Sequence, residues 1–130
     1  MLRRLHAGAL VLLVEDEQVN RDFGAEQLRE FGLRVDAAGN GEQAVELARR
    51  KEYAAILMDV RRPVMDGIEA TRRIRRTANG ATVPILAMTA LAFPDDERRC
   101  LEAGMNDYVA KPIDPARLAT LLLKWIRARA

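Results

Sequence analysis

The sequence has one cysteine, few aromatic residues and no long hydrophobic run. A single thiol, Cys100, excludes an internal disulfide, and the surrounding DERRCLEAG offers no metal-ligand partners for it. These features predict a cytosolic protein with an inert, semi-buried cysteine. Aromatic residues make up only 5% of the chain, so aromatic stacking platforms for nucleic-acid bases are scarce.

The apolar run near the amino terminus is the best candidate for a targeting or membrane segment, because two arginines precede it. It stops at Val14 against three consecutive acidic residues. The run is too short to span a bilayer, and no small-residue cleavage site follows it. We therefore predict a core strand here and no membrane contact by this domain.

An excess of charge of one sign is also lacking, since 21 basic and 19 acidic residues leave a formal net charge of +2. Six arginines gather between residues 61 and 76, which raises the question of a nucleic-acid surface. Interspersed acids, few aromatics and the lack of a basic tail instead favour a solvated helix face. We expect no direct nucleic-acid binding. The single histidine, His6, is not expected to bind a metal.

What the sequence does contain is an alternation of strand-like and helical periods within 130 residues, a length that suits one domain. Strands are predicted at residues 10–14, 33–37, 54–58, 83–88 and 108–110. Helices are predicted at residues of about 18–31, 41–50, 66–76, 94–104 and from 115 onward, the last capped by Asp114. This order predicts an α/β fold with a parallel sheet covered on both sides. Residues 1–130 then form a single domain with a core at about 9–128.

The second predicted strand differs from the others, because its apolar residues alternate with polar ones. Leu33, Val35 and Ala37 are expected to face inward, while Arg34 and Asp36 meet water. Continuous apolar runs indicate burial on both faces, whereas strict alternation is typical of an edge strand. We therefore place this strand at one edge of the sheet.

Polar side chains follow four of the predicted strands at the point where each strand ends. Glu15 and Asp16 follow the first strand and Asp59 the third, while Thr89 follows the fourth and Lys111 the fifth. Ligands of parallel sheets bind outside the carboxyl ends of the strands. Three neighbouring carboxylates require a cation or raised pKa values, and an all-oxygen ligand set favours Mg²⁺. An aspartate in such a site is a candidate nucleophile toward phosphorus.

Four motifs give the chain a resemblance to a known family: VLLVEDE, MDVRRPVMDG, AMTA and DYVAKPI. In this order they resemble the receiver domain of two-component response regulators, and the resemblance covers almost the whole chain. The wording AGMNDYVAKPI is similar to receivers attached to hybrid sensor histidine kinases. The resemblance implies a flavodoxin-like (βα)5 doubly wound sandwich, with a five-stranded parallel sheet of order 2-1-3-4-5.

The resemblance also implies a function in two-component or phosphorelay signal transduction. Asp59 would accept a phosphoryl group from a phosphohistidine on a histidine kinase or a histidine phosphotransfer domain. Mg²⁺ would be held by Glu15, Asp16 and Asp59, together with the backbone carbonyl of Arg61.

A change of the interaction surface is implied as well. Thr89 and Lys111 would contact the phosphoryl group. As Thr89 moves toward it, Tyr108 would rotate inward and change the surface of the fourth and fifth strands, a shift between two existing states. By this interpretation the domain is not an enzyme for external substrates and catalyses only its own phosphorylation and dephosphorylation.

The sequence departs from the family pattern at Arg62, where a methionine usually precedes the proline. Arg61 and Arg62 are two cations at the rim of the site, and the sequence does not predict the sign of their effect on phosphoryl lifetime.

Two alternatives stay open: a receiver-like module that binds without phosphorylation, and a magnesium-dependent phosphatase. Phosphatases with an aspartate nucleophile commonly place a second acid where Arg61 stands. With no output domain in these residues, we expect a free-standing protein or a module of a longer hybrid kinase.

Overall fold

Strands and helices alternate along the chain in the computed structural model, which describes residues 8–60, 65–89, 94–110 and 114–129. The strands are β1 Leu10–Val14, β2 Arg34–Ala38, β3 Ala55–Val60, β4 Ile85–Thr89 and β5 Asp107–Ala110. The helices are α1 Gln18–Glu30, α2 Gly41–Arg50, α3 Met65–Arg75, α4 Pro94–Ala103 and α5 Pro115–Arg129. The predicted strand boundaries lie within two residues of those observed.

The strands form one parallel sheet in the order β2-β1-β3-β4-β5, which confirms the predicted order 2-1-3-4-5. The strand predicted to lie at an edge, β2, does so. One prediction within β2 is wrong, because Ala37 is exposed, whereas Leu33 is buried and Val35 half-buried. An edge strand is flanked on one side only, so its inward-facing residues are covered incompletely.

The hydrophobic core lies in two halves, one on each face of the sheet. On one face α2, α3 and α4 contribute small and branched side chains, namely Ala44, Ala48, Ile68, Ile74, Cys100 and Ala103. On the other face α1 and α5 contribute Ala25, Leu28, Leu118, Leu122 and Ile126. The central strands β1, β3 and β4 are buried on both faces, which accounts for their continuous apolar sequences. Cys100, predicted to be semi-buried, is more deeply buried than that, with an exposed fraction of 5%.

Side chains cap the amino ends of three helices. Glu17 accepts two backbone N–H bonds at the start of α1, and Asn40 accepts one at the start of α2. The predicted cap at Asp114 is confirmed, because its Oδ1 accepts the Ala116 N–H at 3.1 Å. Each of these helices begins just after the carboxyl end of a parallel strand, so their amino ends lie at the same edge of the sheet as the carboxyl ends of the strands.

The last helix, α5, is tied to the last strand by the only tryptophan of the chain. Trp125 Nε1 donates to Asp107 Oδ2 at 3.0 Å, and the Lys124 ammonium lies 5.1 Å from the centre of the indole ring. The bond fixes the first residue of β5 against α5. No described helix, including this one of 15 residues, is both long and apolar enough to cross a membrane.

Candidate metal and acceptor site at the carboxyl edge of the sheet

Three carboxylates meet where β1 and β3 end. Glu15, Asp16 and Asp59 each offer an oxygen atom, and these atoms all lie within 4.8 Å of one another. Glu15 is 4% exposed, Asp59 is half-buried and Asp16 is exposed. The structure therefore brings together the three acids that the sequence placed at strand ends, with one side of the group open to solvent.

Glu15 is held in place by bonds to its backbone and its side chain. Its N–H donates to the carbonyl of Ala38 at 3.0 Å, and its carbonyl accepts from the Arg21 guanidinium at 3.0 Å. The carboxylate oxygen Oε1 accepts the backbone N–H of Glu17 at 3.2 Å. The first bond continues the β1–β2 ladder by one residue, and the last ties the carboxylate to the cap of α1. A buried acid held in this way is ready to bind a ligand without reordering.

Asp59 occupies the last but one position of β3, and its register partner on β4 is Met88. It lines a groove of about 690 Å³ that also contacts Asp16. The groove runs past the amino end of α2 at Asn40 and along α3 to Arg73. A small molecule or a partner's side chain therefore has access to the Asp59 carboxylate from solvent.

The chemistry of this cluster fits a hard divalent cation. Three like charges in close contact repel one another by a few kcal/mol per pair at an effective dielectric of about 20. A cation removes that repulsion, and carboxylate oxygens without histidine or thiolate are the ligands that Mg²⁺ prefers. The described members of the predicted ligand set, Glu15, Asp16 and Asp59, therefore fit Mg²⁺. The fourth predicted ligand, Arg61, lies outside the described residues, as does Arg62.

Thr89 ends β4 beside this cluster. It is 4% exposed and pairs in register with Val60 on one side and with Ala110 on the other. Since Met88 is the partner of Asp59, Thr89 lies one strand over and one residue further along the sheet. Lys111, which directly follows Ala110 in the sequence, lies outside the described residues, so its predicted role stays a prediction.

Tyr108 shares a sheet face with Thr89, because Tyr108 pairs with Ala87 and Ala110 pairs with Thr89. Its hydroxyl lies near the carboxylate of Glu97 on α4. The negative charge of Glu97 is the largest cause that raises the pKa of Tyr108 above its ordinary value of 10.0, and burial adds to it.

Sequence reasoning missed two features of this region. Nothing in the sequence connects Glu97 with the tyrosine eleven residues later on which its charge acts. Val19 and Phe23 on α1 are 71% and 70% exposed, which is unusual for large apolar side chains. Their i, i+4 spacing was a detectable signal, although the same spacing is also typical of a core-facing stripe.

Comparison with known proteins supports the same interpretation of the fold. The family model described as the response regulator receiver domain matches residues 11–123. A two-component response regulator of Oryza sativa is 43% identical over 119 residues, which are 88% of this chain and 92% of that protein. Two-component system protein A of Emericella nidulans is 42% identical over 118 residues, which are 88% of this chain and only 17% of that protein. The chain thus spans nearly all of one relative and a small part of another.

Solved structures agree with the sequence relatives. The receiver domain of a sensor histidine kinase of Pseudomonas aeruginosa is 51% identical, with a TM-score of 0.85, and the match covers 93% of this chain and 99% of that one. That crystal structure has a magnesium ion coordinated in its active-site cleft. The receiver domain of Ssk1 of Saccharomyces cerevisiae, crystallised with the histidine phosphotransfer protein Ypd1, is 31% identical. Its TM-score is 0.84, and the match covers 97% of this chain and 94% of that one.

Proposed function

The chain belongs to the response regulator receiver domain family of two-component and phosphorelay systems, and from this premise we propose that Asp59 accepts a phosphoryl group from a phosphohistidine of a partner protein. The observation that carries the proposal is the meeting of Glu15, Asp16 and Asp59 within 4.8 Å at one edge of the sheet. Buried Thr89 ends the neighbouring strand at the same edge. The sequence relatives that regulate or belong to two-component systems support the same chemistry.

The proposed transfer exchanges one bond to phosphorus for another. A carboxylate oxygen of Asp59 forms a bond to phosphorus, while the bond between phosphorus and the imidazole nitrogen of the donor breaks. The electron pair of the broken bond stays on that nitrogen, which takes up a proton. Asp59 is half-buried and lines an open groove, so it is oriented by the protein and still reachable by the donor.

Mg²⁺ is the proposed cofactor of this transfer. Its proposed ligands are Glu15, Asp16 and Asp59, together with the backbone carbonyl of Arg61. A bound ion would offset the negative charge that the carboxylates and the incoming phosphoryl oxygens bring together. The bond from the Glu17 N–H to Glu15 keeps that carboxylate turned toward the cluster in the absence of any ligand.

We propose that Thr89 and Lys111 contact the new phosphoryl group, Thr89 through a hydrogen bond from its hydroxyl. Buried Thr89 must shift to make that bond, and its shift vacates space on the sheet face that it shares with Tyr108. Inward rotation of Tyr108 into that space would couple Asp59 to the surface of α4 and β5. This is a redistribution between two conformations, biased by the modification.

The direct test is phosphorylation by a small acyl phosphate in the presence of Mg²⁺, measured by intact-protein mass spectrometry. We expect the mass of one phosphoryl group to be added, and the addition to disappear in Asp59→Asn. Asp22→Asn, at an exposed acid on α1, is the matched control and should be labelled normally. An unlabelled wild-type protein, or full labelling of Asp59→Asn, would contradict the proposal. An unlabelled protein would favour the binding module that works without phosphorylation.

The exposed apolar pair of α1 supports a protein as the phosphoryl donor. Val19 and Phe23 lie one turn apart, starting three residues after Asp16, so they flank the site on the surface. We propose that this pair contacts a histidine phosphotransfer domain or the histidine-bearing domain of a kinase. The histidine phosphotransfer protein crystallised with the related yeast receiver supports a partner of this class.

The partner surface is tested by separating protein donors from small donors. Phe23→Ser should slow transfer from a phosphorylated phosphotransfer domain at least tenfold, the effect of losing roughly 1.4 kcal/mol of contact with the partner. Labelling by the acyl phosphate should not change. Leu101→Ser, at a large exposed residue on α4, is the matched control. Equal slowing with both kinds of donor would mean that the substitution of Phe23 changes the reactivity of Asp59 itself. That result would contradict the proposed contact between Phe23 and the partner protein.

Two further parts of the proposal concern the setting of the domain. We propose that it turns over no external substrate, so continuous release of product from an unrelated phosphate ester would contradict this part. We also propose a cytoplasmic location, because histidine kinases make their phosphohistidine from cytoplasmic ATP. The relatives include a protein that this chain spans almost completely and one of which it spans 17%, so both a free-standing regulator and a module of a longer kinase have support.

A further inference from the structure

Arg21 on α1 contacts the backbone of the acid cluster. Its half-buried guanidinium donates from Nη1 to the carbonyl oxygen of Glu15 at 3.0 Å. That carbonyl belongs to the peptide group between Glu15 and Asp16, two of the three acids whose oxygen atoms meet within 4.8 Å. The bond therefore fixes the orientation of the peptide group that joins these two acids.

The guanidinium passes close to Gly39, in the loop between β2 and α2. A Cβ atom added to Gly39 would lie 3.1 Å from Nη1 of Arg21 and 3.9 Å from its Cζ. The first distance is shorter than ordinary van der Waals contact, so a larger residue at position 39 would displace the guanidinium. The backbone of Gly39 is itself held, since its N–H donates to Oε1 of Gln43 at 2.8 Å. Glycine at this position thus leaves the space that Arg21 occupies.

Arg21 can act on a bound cation in two opposite ways. Its positive charge repels a divalent ion, which weakens binding. Its hydrogen bond orders the backbone between two ligands before the ion binds, which strengthens binding because less freedom is then lost. The contact that the structure shows is with the neutral carbonyl of Glu15, so the geometry favours the second effect.

We propose that Arg21 is a positioning residue for Mg²⁺, and that it acts by holding the peptide group between Glu15 and Asp16. Gly39 belongs to the same arrangement, because the absence of a Cβ there lets the guanidinium reach the carbonyl. This inference rests on the proposed function, in which Glu15, Asp16 and Asp59 hold the ion.

The inference is tested by measuring the Kd for Mg²⁺ with calorimetric titration of MgCl₂ into Arg21→Met. This variant removes the donor and the charge and keeps much of the aliphatic stem. We expect the Kd to rise about tenfold, as for other residues that orient metal ligands without touching the metal. Arg29→Met, which removes the same charge from an exposed position of α1, is the matched control and should keep the Kd of wild type. An unchanged or lower Kd in Arg21→Met would overturn the inference, since loss of charge alone favours tighter binding.

Two further variants separate position from charge. Gly39→Ala keeps the guanidinium but displaces it, so the Kd should rise although the charge of the domain is unchanged. Combined with Arg21→Met it should cause no further rise, because both changes act through one contact. Arg21→Lys keeps the charge and one donor, and its Kd should lie between those of wild type and Arg21→Met. Additive effects of Gly39→Ala and Arg21→Met would overturn the role of Gly39.

A measurement without Mg²⁺ keeps the inference distinct from the proposed function. The order parameter of the Asp16 amide, from ¹⁵N relaxation, should fall in Arg21→Met from about 0.85, typical of rigid backbone, toward about 0.6. Equal order parameters in wild type and Arg21→Met would overturn the inference. Wild-type protein that neither binds Mg²⁺ nor is labelled by the acyl phosphate would overturn the proposed function, and the relaxation data would still decide whether Arg21 holds this peptide group.

Discussion

The buried hydroxyl of Thr71 on α3 lowers the stability of the fold, and a single substitution should remove this effect. Its side chain is fully buried, and its hydroxyl makes no hydrogen bond within the described part of the chain. Valine has nearly the same shape and is also branched at Cβ, so Thr71→Val replaces the hydroxyl without opening a cavity. We expect the free energy of unfolding to rise by about 1 kcal/mol, since a buried polar group without a partner is unfavourable. Urea denaturation measures the change.

The matched control is Thr77, six residues later and just beyond the end of α3. Its hydroxyl donates to the carbonyl of Ile74 at 2.7 Å and accepts the N–H of Gly80 at 2.9 Å. Thr77→Val should therefore lower the free energy of unfolding by about 1 kcal/mol. The same change is thus expected to have opposite signs at the two threonines. A loss of stability at Thr71 similar to that at Thr77 would show that its hydroxyl has a favourable role.

At the scale of single residues, the sequence predicts which acids lie at strand ends better than it predicts which side chains lie close to each other. Glu15, Asp16 and Asp59 were predictable, because parallel strands bring their carboxyl ends to one edge. Thr71 was not, because a threonine beside surface arginines in TRRIRR shows its burial only when the rotation of the helix is known. The influence of Glu97 on Tyr108 was missed for a similar reason, since it depends on how α4 lies against the sheet.

Arg75 is the main link between elements at the end of the sheet away from the acid cluster. From the last turn of α3 its guanidinium donates to the carbonyls of Gly80, Val83 and Gly104 and to the Asn106 side chain, at 2.6 to 3.0 Å. Arg75→Met keeps most of the aliphatic stem and removes these donors. We expect the free energy of unfolding to fall by about 2 to 3 kcal/mol, as for the loss of charged hydrogen bonds.

The control for Arg75 keeps the charge and changes the shape. Arg75→Lys retains a cation, but one ammonium cannot donate to all of these carbonyls at once. We therefore expect lysine to recover less than half of the free energy of unfolding that Arg75→Met loses. Denaturant unfolding of both variants measures this difference. Full recovery with lysine would mean that charge, and not the planar arrangement of donors, is what the loops around Gly80 and Gly104 require.

A pH-sensitive contact links the edge strand β2 to the segment between α2 and β3. Asp36 accepts bonds from the Lys51 ammonium at 2.9 Å and from the Tyr53 hydroxyl at 2.8 Å. The bond from Lys51 is the largest cause that lowers the pKa of Asp36 below its ordinary value of 3.8; burial opposes the shift, and the Tyr53 bond adds to it. The stabilisation is therefore present above pH 3.8 and is lost as the pH falls through the folded-state pKa.

Replacing Asp36 should accordingly flatten the acid side of the stability profile. We expect Asp36→Asn to be less stable than wild type at neutral pH and to lose less stability between about pH 4 and pH 2. Unfolding by urea at a series of pH values gives the slope. Asp22→Asn, at an exposed acid on α1, is the control variant. Equal acid slopes for wild type and Asp36→Asn would contradict a role for this carboxylate.

At the scale of elements, the sequence predicted the strands and helices well, and the wrong prediction concerns the edge strand β2. Buried strands such as β3 are recognisable as continuous apolar runs, and α5 as a capped, periodic stripe. The exposure of Ala37 was predicted wrongly because alternation gives the face of a residue but not the extent of the helix layer above it. The roles predicted for Arg61 and Lys111 stay predictions, because both lie outside the described residues.

For the whole molecule, Mg²⁺ should act as a stabilising ligand that binds only the folded chain, because the acids of its site come from separate strands. At a free concentration ten times Kd the stabilisation is about 1.4 kcal/mol. For a domain of this size we expect the melting temperature to rise by about 5 °C. Scanning calorimetry with and without MgCl₂ measures the shift.

Variants distinguish binding at the acid cluster from a general effect of salt. Asp16→Asn should melt no lower than wild type without Mg²⁺, since one like charge is removed from the cluster, and its response to Mg²⁺ should be lost. Asp22→Asn should keep the response of wild type. A normal response in Asp16→Asn would mean that Mg²⁺ acts elsewhere on the molecule.

The bond between Trp125 and Asp107 gives the molecule a natural optical reporter. Because the chain has one tryptophan, all indole emission comes from a ring whose N–H donates to the residue next to Tyr108. Any rearrangement of β5 changes the polarity felt by that indole and hence the colour and lifetime of its fluorescence. Conformational kinetics can therefore be followed by stopped flow in unlabelled protein, with the chromophore that the chain already carries.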